Sequence, residues 1–237
     1  MNIAIILAAG TGKRMKNALP KQFMLVAGKT VLEHSVDAFE KNALIDEIAV
    51  VLHKDYISEF KHFIQKNNWQ KVKKVLTGGE ERYESALAAI NAYQQFPDDN
   101  LIFHDAARPL VSERIINEVV NALEDYNAVT VAIPTTDTMY QVDDSQRFVN
   151  NIPNRIFLQR AQTPQAFKAK TIQKGYELAL KDADFQFTDD CGVVAKYVPD
   201  EKIFIVQGEE RNMKITYYED LDLLDFFFKK TAKKQYH

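Results

Sequence analysis

The chain has 237 residues, 46% hydrophobic and 27% charged, with 30 Lys+Arg against 33 Asp+Glu for a formal charge of −3. That is globular composition with ample chain for a buried core, and it excludes a disordered protein. The missing basic excess speaks against a sequence-independent nucleic-acid binder, and no apolar run approaches the ~20 residues of a membrane span.

The single cysteine, Cys191, rules out an internal disulfide framework and a cysteine-based zinc site. Met1-Asn2 runs straight into an apolar segment, with no basic region before it and no small-residue cleavage site after it. The N-terminus therefore reads as structure and not as a signal peptide, and the expectation is a cytoplasmic protein without a membrane partner.

In chain order, residues 3–7 form a short apolar strand ending in the turn-prone Ala8-Ala9-Gly10-Thr11-Gly12. Apolar positions at helical spacing follow over 31–39. Buried-strand patterns recur over 47–52, 72–76, 100–104 and 129–133, with helices expected over 56–67, 82–93 and 112–125, the last opened by Ser112 as N-cap. Nearly continuous apolar strands alternating with helices predict a Rossmann-like α/β fold: a mostly parallel sheet with helices on both faces. Residues 138–160 break this rhythm, because 139–142 and 147–152 flank the polar turn Asp143-Asp144-Ser145-Gln146. They predict a β-hairpin, either an arm that packs on another subunit or an ordinary surface hairpin. Helices over 170–181 and 189–197, a strand over 203–207 and an amphipathic helix over 218–230 complete the pattern. The tail 229–237 is expected to be solvated and frayed. No repeat or low-complexity linker interrupts the chain, so residues 1–237 are expected to form a single domain.

Ligands of open α/β sheets gather at the carboxyl ends of strands, and the polar or glycine-rich segments of this chain fall there. After the first strand, Gly10-Thr11-Gly12-Lys13-Arg14-Met15 lacks the third glycine of a dinucleotide fingerprint, and the Walker spacing is also absent. An NAD-binding oxidoreductase would further need an acid ending the second strand, whereas Glu33 falls inside the first predicted helix. Backbone N–H groups beside Lys13, Arg14 and Lys21 suit a triphosphate. The plain alternative is a tight turn with solvated cations. Asp105 ends a strand, where it suits either Mg²⁺ bridging phosphates or the cap of the next helix. His104 reads as a packed, hydrogen-bonded histidine. Arg82 and Ser85 share a helix face after Gly78-Gly79, which suits base or phosphate recognition and equally a plain helix start. Lys214 follows the last strand.

Together Leu7–Met15, Pro20-Lys21-Gln22, Gly78–Arg82, His104–Pro109, Asp137-Thr138, Gln162-Thr163-Pro164-Gln165, Thr188-Asp189-Asp190 and Asn212–Thr216 resemble, in order and spacing, the IspD/TarI cytidylyltransferase family. The resemblance runs through nearly the whole chain. It implies a nucleotide-diphospho-sugar-transferase type of fold with a protruding β-arm that dimerises. It also implies Mg²⁺-dependent transfer of CMP from CTP to a polyol phosphate, releasing pyrophosphate. On that resemblance Ala8, Ala9, Gly10, Thr11, Gly12, Arg14 and Lys21 bind the triphosphate, and Gly79, Arg82 and Ser85 lie by cytosine and ribose. Asp105 holds the metal and Lys214 sits near the α-phosphate, with Arg14, Lys21 and Lys214 catalytic. Arg108, Thr138 and Thr188 match acceptor-binding positions, and Arg155 matches an arm arginine that reaches the neighbouring subunit's substrate. The family divides between methylerythritol 4-phosphate and ribitol 5-phosphate as acceptors. His104–Pro109 is nearer the methylerythritol branch. Ile152-Pro153-Asn154-Arg155 and Thr188-Asp189-Asp190-Cys191 are nearer the ribitol branch, and these acceptor-side segments favour ribitol 5-phosphate. A nucleotidyltransferase for another nucleotide and a non-catalytic CTP-binding protein are the rival readings.

Overall fold

The computed structural model describes residues 1–10 and 20–234, with side chains described as far as residue 230. Its centre is a seven-stranded sheet in the order β11-β7-β10-β6-β1-β4-β5. The strands are β1 (Asn2–Ala8), β4 (Glu47–Leu52), β5 (Val72–Thr77), β6 (Asn100–Asp105), β7 (Ala128–Pro134), β10 (Gln159–Lys168) and β11 (Ile203–Gln207). All neighbouring strands pair in parallel except β10, which runs antiparallel between β6 and β7. The expected mostly parallel α/β architecture is what the chain adopts.

Alternation along β1 shows why the strands are apolar on both sides. Ile3, Ile5 and Leu7 enter one core, and Ala4, Ile6 and Ala8 enter the other. The core entered by Ala4, Ile6 and Ala8 is closed by α1 (Val31–Glu40), α2 (Ile57–Asn67) and α4 (Glu113–Ala122), which contribute Val36 and Phe39, Phe60, and Ile115 and Val119. The opposite core is closed by α3 (Arg82–Ala92), α5 (Ala169–Ala179) and α6 (Asp190–Tyr197), through residues such as Ala86, Ile172, Tyr176 and Val194. A third, smaller cluster joins the two-stranded ribbon of β2 (Leu25–Val26) and β3 (Lys29–Thr30) to α7 (Glu219–Lys234), around Val31, Ile215 and Leu224. No helix among the described residues is long and apolar enough to cross a membrane.

The hairpin at 138–160 forms, as β8 (Gln141–Val142) paired antiparallel with β9 (Val149–Asn151). Ser112 caps α4 by accepting from the Ile115 N–H, as expected. One expectation needs correction, and two elements were not anticipated. Residues 229–234 continue α7 and are not a frayed tail, because Leu221, Leu224 and Phe228 seat the helix on the third cluster. The β2–β3 ribbon went unforeseen; Ala27 and Gly28 turn it with positive φ of 48° and 84°. The larger omission is β10, whose residue pattern offers no reason to place it inside a sheet. Gln162, Thr163 and Gln165 are polar, and Pro164 cannot donate to a ladder. The register accordingly shifts between Gln162 and Gln165. Those buried polar side chains are satisfied sideways: Gln162 by the segment after β11, Thr163 by His104, and Gln165 by Asp189.

Candidate active site

The carboxyl ends of β1 and β6, the start of α3 and the segment after β11 enclose a cavity of about 340 Å³. Ala8, Ala9 and Gly10 form one wall, braced by Gln22, whose Nε2 donates to the Ala8 carbonyl at 2.7 Å and the Gly10 carbonyl at 2.8 Å. Gly78 lets the neighbouring loop come this close, since a Cβ there would lie 2.4 Å from the Ala9 Cβ and 2.6 Å from the Ser85 Oγ. Lys21, Gly79, Arg82, Ser85, Asp105 and Lys214 complete the sequence-expected residues that the fold brings to this cavity. Thr11, Gly12 and Arg14, with Lys13, lie outside the described residues.

Charge is concentrated on the cavity wall. Asp105 is buried, with Oδ1 accepting from Arg82 Nε at 3.2 Å and Oδ2 from Lys214 Nζ at 2.7 Å. Burial alone would raise its pKa, but Arg82 and Lys214 outweigh that and hold the carboxyl far below its ordinary value. Arg82 also donates from Nη1 to Asp190 at 2.7 Å, and Asp190, fully buried, accepts from the Tyr176 hydroxyl at 2.7 Å. For Arg82, burial works against the charge, and the two carboxylates more than restore it. Lys21 Nζ donates to the Ile215 carbonyl at 2.6 Å. Asp105 is thus a carboxylate shared by two cations at the cavity wall.

Whether Mg²⁺ suits this wall depends on the donor set. Among the described residues no three acidic, His or Cys side chains gather as a ligand group. Magnesium on a nucleotide needs only one or two carboxylates beside phosphate oxygens and water, and Asp105 stays ionised and faces the cavity. The fit is that of a single hard oxygen donor completed by substrate.

His104 behaves as expected. Its Nε2 donates to the Arg108 carbonyl at 3.1 Å, and its Nδ1 shares a 3.1 Å hydrogen bond with the Thr163 hydroxyl. Burial pushes its pKa down to about 4, so the ring is a neutral packing group. Cys191 is buried in the α5–α6 core, and burial pushes its thiol up, as suits an inert packing residue.

The acceptor-side residues do not line this cavity. Arg108 turns onto main-chain carbonyls, Nη1 to Asn212 at 2.8 Å and Nη2 to Ala161 at 3.3 Å. Thr138 and Thr188 are exposed, one after β7 and the other just before α6. Arg155 is exposed at the base of the hairpin, where Nη1 donates to the Thr136 carbonyl at 2.9 Å. Sequence reasoning assigned no part to Gln22 or Asp190. Their signal was their place in the short motifs Pro20-Lys21-Gln22 and Thr188-Asp189-Asp190, and neither motif shows which distant group its side chain braces.

The family model for 2-C-methyl-D-erythritol 4-phosphate cytidylyltransferase, IspD, matches residues 2–230. The enzyme of that name from Thermobifida fusca is 43% identical over 222 residues, covering 92% of this chain and 89% of the relative. The bifunctional ribulose 5-phosphate reductase/CDP-ribitol pyrophosphorylase Bcs1 of Haemophilus influenzae is 42% identical over 228 residues, 96% of this chain but only 48% of that longer protein. In structure, 4-diphosphocytidyl-2C-methyl-D-erythritol synthase from Anaerococcus prevotii superposes with a TM-score of 0.84 at 33% identity, covering 97% of this chain and 98% of that one.

Proposed function

The chain belongs to the IspD family of cytidylyltransferases, and on that premise we propose that it moves CMP from CTP to 2-C-methyl-D-erythritol 4-phosphate, releasing pyrophosphate. One observation carries the transfer of a nucleotidyl group: Lys21, Arg82 and Lys214 converge on one cavity beside the main-chain loop that ends β1. The choice of acceptor is supported by the family match and by relatives named for that substrate and aligned over most of their length. These outweigh the lean toward ribitol 5-phosphate drawn from the sequence.

The acceptor's phosphate oxygen attacks the α-phosphorus of CTP, and the bond from that phosphorus to the bridging oxygen breaks as pyrophosphate leaves. A phosphate monoester is largely dianionic near neutrality, its second pKa being ~6, so the nucleophile needs no general base. What remains for the protein is in-line alignment and neutralisation of charge on the α-phosphate and the leaving group. Lys214 serves the α-phosphate, Lys21 and Arg14 the leaving pyrophosphate, and the main chain of Ala8, Ala9, Gly10, Thr11 and Gly12 cradles the phosphates. Gly79, Arg82 and Ser85 hold cytosine and ribose. Mg²⁺, held by Asp105 with phosphate oxygens, would supply further neutralisation. Arg108, Thr138 and Thr188 bind the acceptor, joined by the Arg155 position of a second copy in a homodimer.

A second reading, ribitol 5-phosphate as acceptor, rests on Ile152-Pro153-Asn154-Arg155 and on the relative named for CDP-ribitol. Pyrophosphate release from CTP, ATP, GTP and UTP, with each polyol phosphate in turn, decides among these. The proposal expects turnover with CTP alone and a preference for methylerythritol 4-phosphate. A preference for ribitol 5-phosphate moves the assignment to the second reading, and no CTP turnover with either acceptor overturns both.

A further inference from the structure

Between β11 and α7 the chain is irregular, the kind of backbone that ordinarily moves, yet it delivers Lys214 to 2.7 Å from Asp105. Two buried anchors flank that lysine. Asn212 has no exposed surface; its Nδ2 donates to Gln162 Oε1 at 3.1 Å and to the Thr163 carbonyl at 2.9 Å, and its carbonyl accepts from Arg108 at 2.8 Å. Ile215 is equally buried, and its N–H donates to the Ala107 carbonyl at 2.8 Å. The Ile215 carbonyl is the group that accepts from Lys21. Residues 212–215 therefore carry one active-site lysine and hold the other.

The anchor shares its reference point with the carboxylate it serves. Thr163, whose carbonyl binds Asn212, accepts at its hydroxyl from the Asp105 N–H at 3.2 Å. Gln162 is fixed in turn by donating to the Glu209 carbonyl at 2.8 Å, and Gly208 lies so near that a Cβ would sit 2.4 Å from Gln162 Oε1. Nδ2 of this buried amide makes both its bonds while Oδ1 has no partner among the described residues, so the side chain is costly to bury and its value lies in direction and not in packing.

We propose that Asn212 is a positioning residue that sets Lys21 and Lys214 together, through residues 212–215 acting as one strut on β10. The inference rests on the reading that both lysines act on the phosphates of CTP. Misplacement of about 1 Å is enough to cost ~100-fold in rate, so Asn212→Ala lowers kcat by about that factor and raises the KM for CTP about fivefold. In a Lys21→Ala/Lys214→Ala background, where neither positioned lysine remains, the same change costs less than ~3-fold, because residues acting as a unit are not additive. The cycle is also read as CTP dissociation constants by calorimetry, which needs no turnover. Thermal melts establish that each variant is folded at the assay temperature. Gln162→Ala, which removes one of the two acceptors of Asn212 together with the bond from Gln162 to the Glu209 carbonyl, reports on the same strut if Asn212→Ala does not fold. A folded Asn212→Ala with kcat within ~3-fold of the parent, or losses that multiply with those of the Lys21→Ala/Lys214→Ala pair, overturns the strut. Full activity in Lys214→Ala alone instead overturns the functional reading.

Discussion

Asp105 is asked to be two things in sequence, a counter-ion to Arg82 and Lys214 and then a neighbour of phosphate. Its acidity is set by the first arrangement, because two cations on a buried carboxylate outweigh the cost of burial. An incoming triphosphate competes for Lys214 while Arg82 keeps its two carboxylates, so the cavity wall exchanges one anion for another without leaving a cation unpaired. Lys21→Ala and Lys214→Ala should each leave the fold intact, both side chains being partly exposed, one on a single 3₁₀ turn and the other on a loop, and lower kcat by about 10²–10³-fold, as loss of a charge aimed at a transition state does. Steady-state kinetics beside thermal melts check this, and near-normal turnover in either variant contradicts it. At this scale the sequence showed which residues reach the cavity, because glycine-rich or charged segments after apolar strands mark the carboxyl edge of a sheet. It did not show what holds them. Gln22, Asp190 and Asn212 act on partners that are remote or belong to the main chain, and a polar residue in a short motif does not name its partner.

Among the elements, helices and parallel strands were legible because period and burial coincide in them. In α1 even the start is written locally: Thr30 accepts from the Glu33 N–H and Glu33 returns a bond to the Thr30 N–H. Burial would push Glu33 up, but hydrogen bonds from Asn67, Thr30 and Lys66 hold it at about 2. The hairpin was legible from alternation around a polar turn. Its purpose was not, because an exposed face carries no record of what covers it. Ile156 is 72% and Phe157 83% exposed beside it, and Met139, Tyr140, Phe148 and Ile152 are exposed as well. So much apolar surface on one projection suits the proposed dimer arm. Phe157→Asp should shift the molecule toward monomer in light scattering at micromolar concentration while leaving the melt of the core nearly unchanged. A parent protein that is already monomeric refutes the arm's role.

For the molecule as a whole, His104, Glu33 and Asp105 bias stability in one direction, against the opposite pull of Asp190, which burial raises. His104 is neutral in the fold, with a pKa of about 4 against an ordinary 6.5, so the unfolded chain takes up its proton first. Its contribution is complete above pH ~6.5 and declines by about 3 kcal/mol as pH falls toward 4. Glu33 and Asp105, both lowered, contribute above the ordinary carboxylate range and are lost below it. The melting temperature should therefore fall in two stages on acidification, starting below pH ~6.5 and steepening below ~4.5, and His104→Gln should flatten only the first. Calorimetry from pH 8 to pH 4 tests this, and a level profile between pH 7 and 5 contradicts it. The sheet order has a temporal side as well. Strands β5, β4, β1 and β6 are complete once residue 105 is made, but the outer edge of β6 pairs only with β10, which begins at residue 159. At roughly 5–20 residues per second, a ribosome leaves that edge open for about 3–10 s, long enough to recruit a stray strand. The polar run Gln162-Thr163-Pro164-Gln165 suits a late arrival: soluble while it waits, it finds its hydrogen-bond partners only when docked in its own place between β6 and β7.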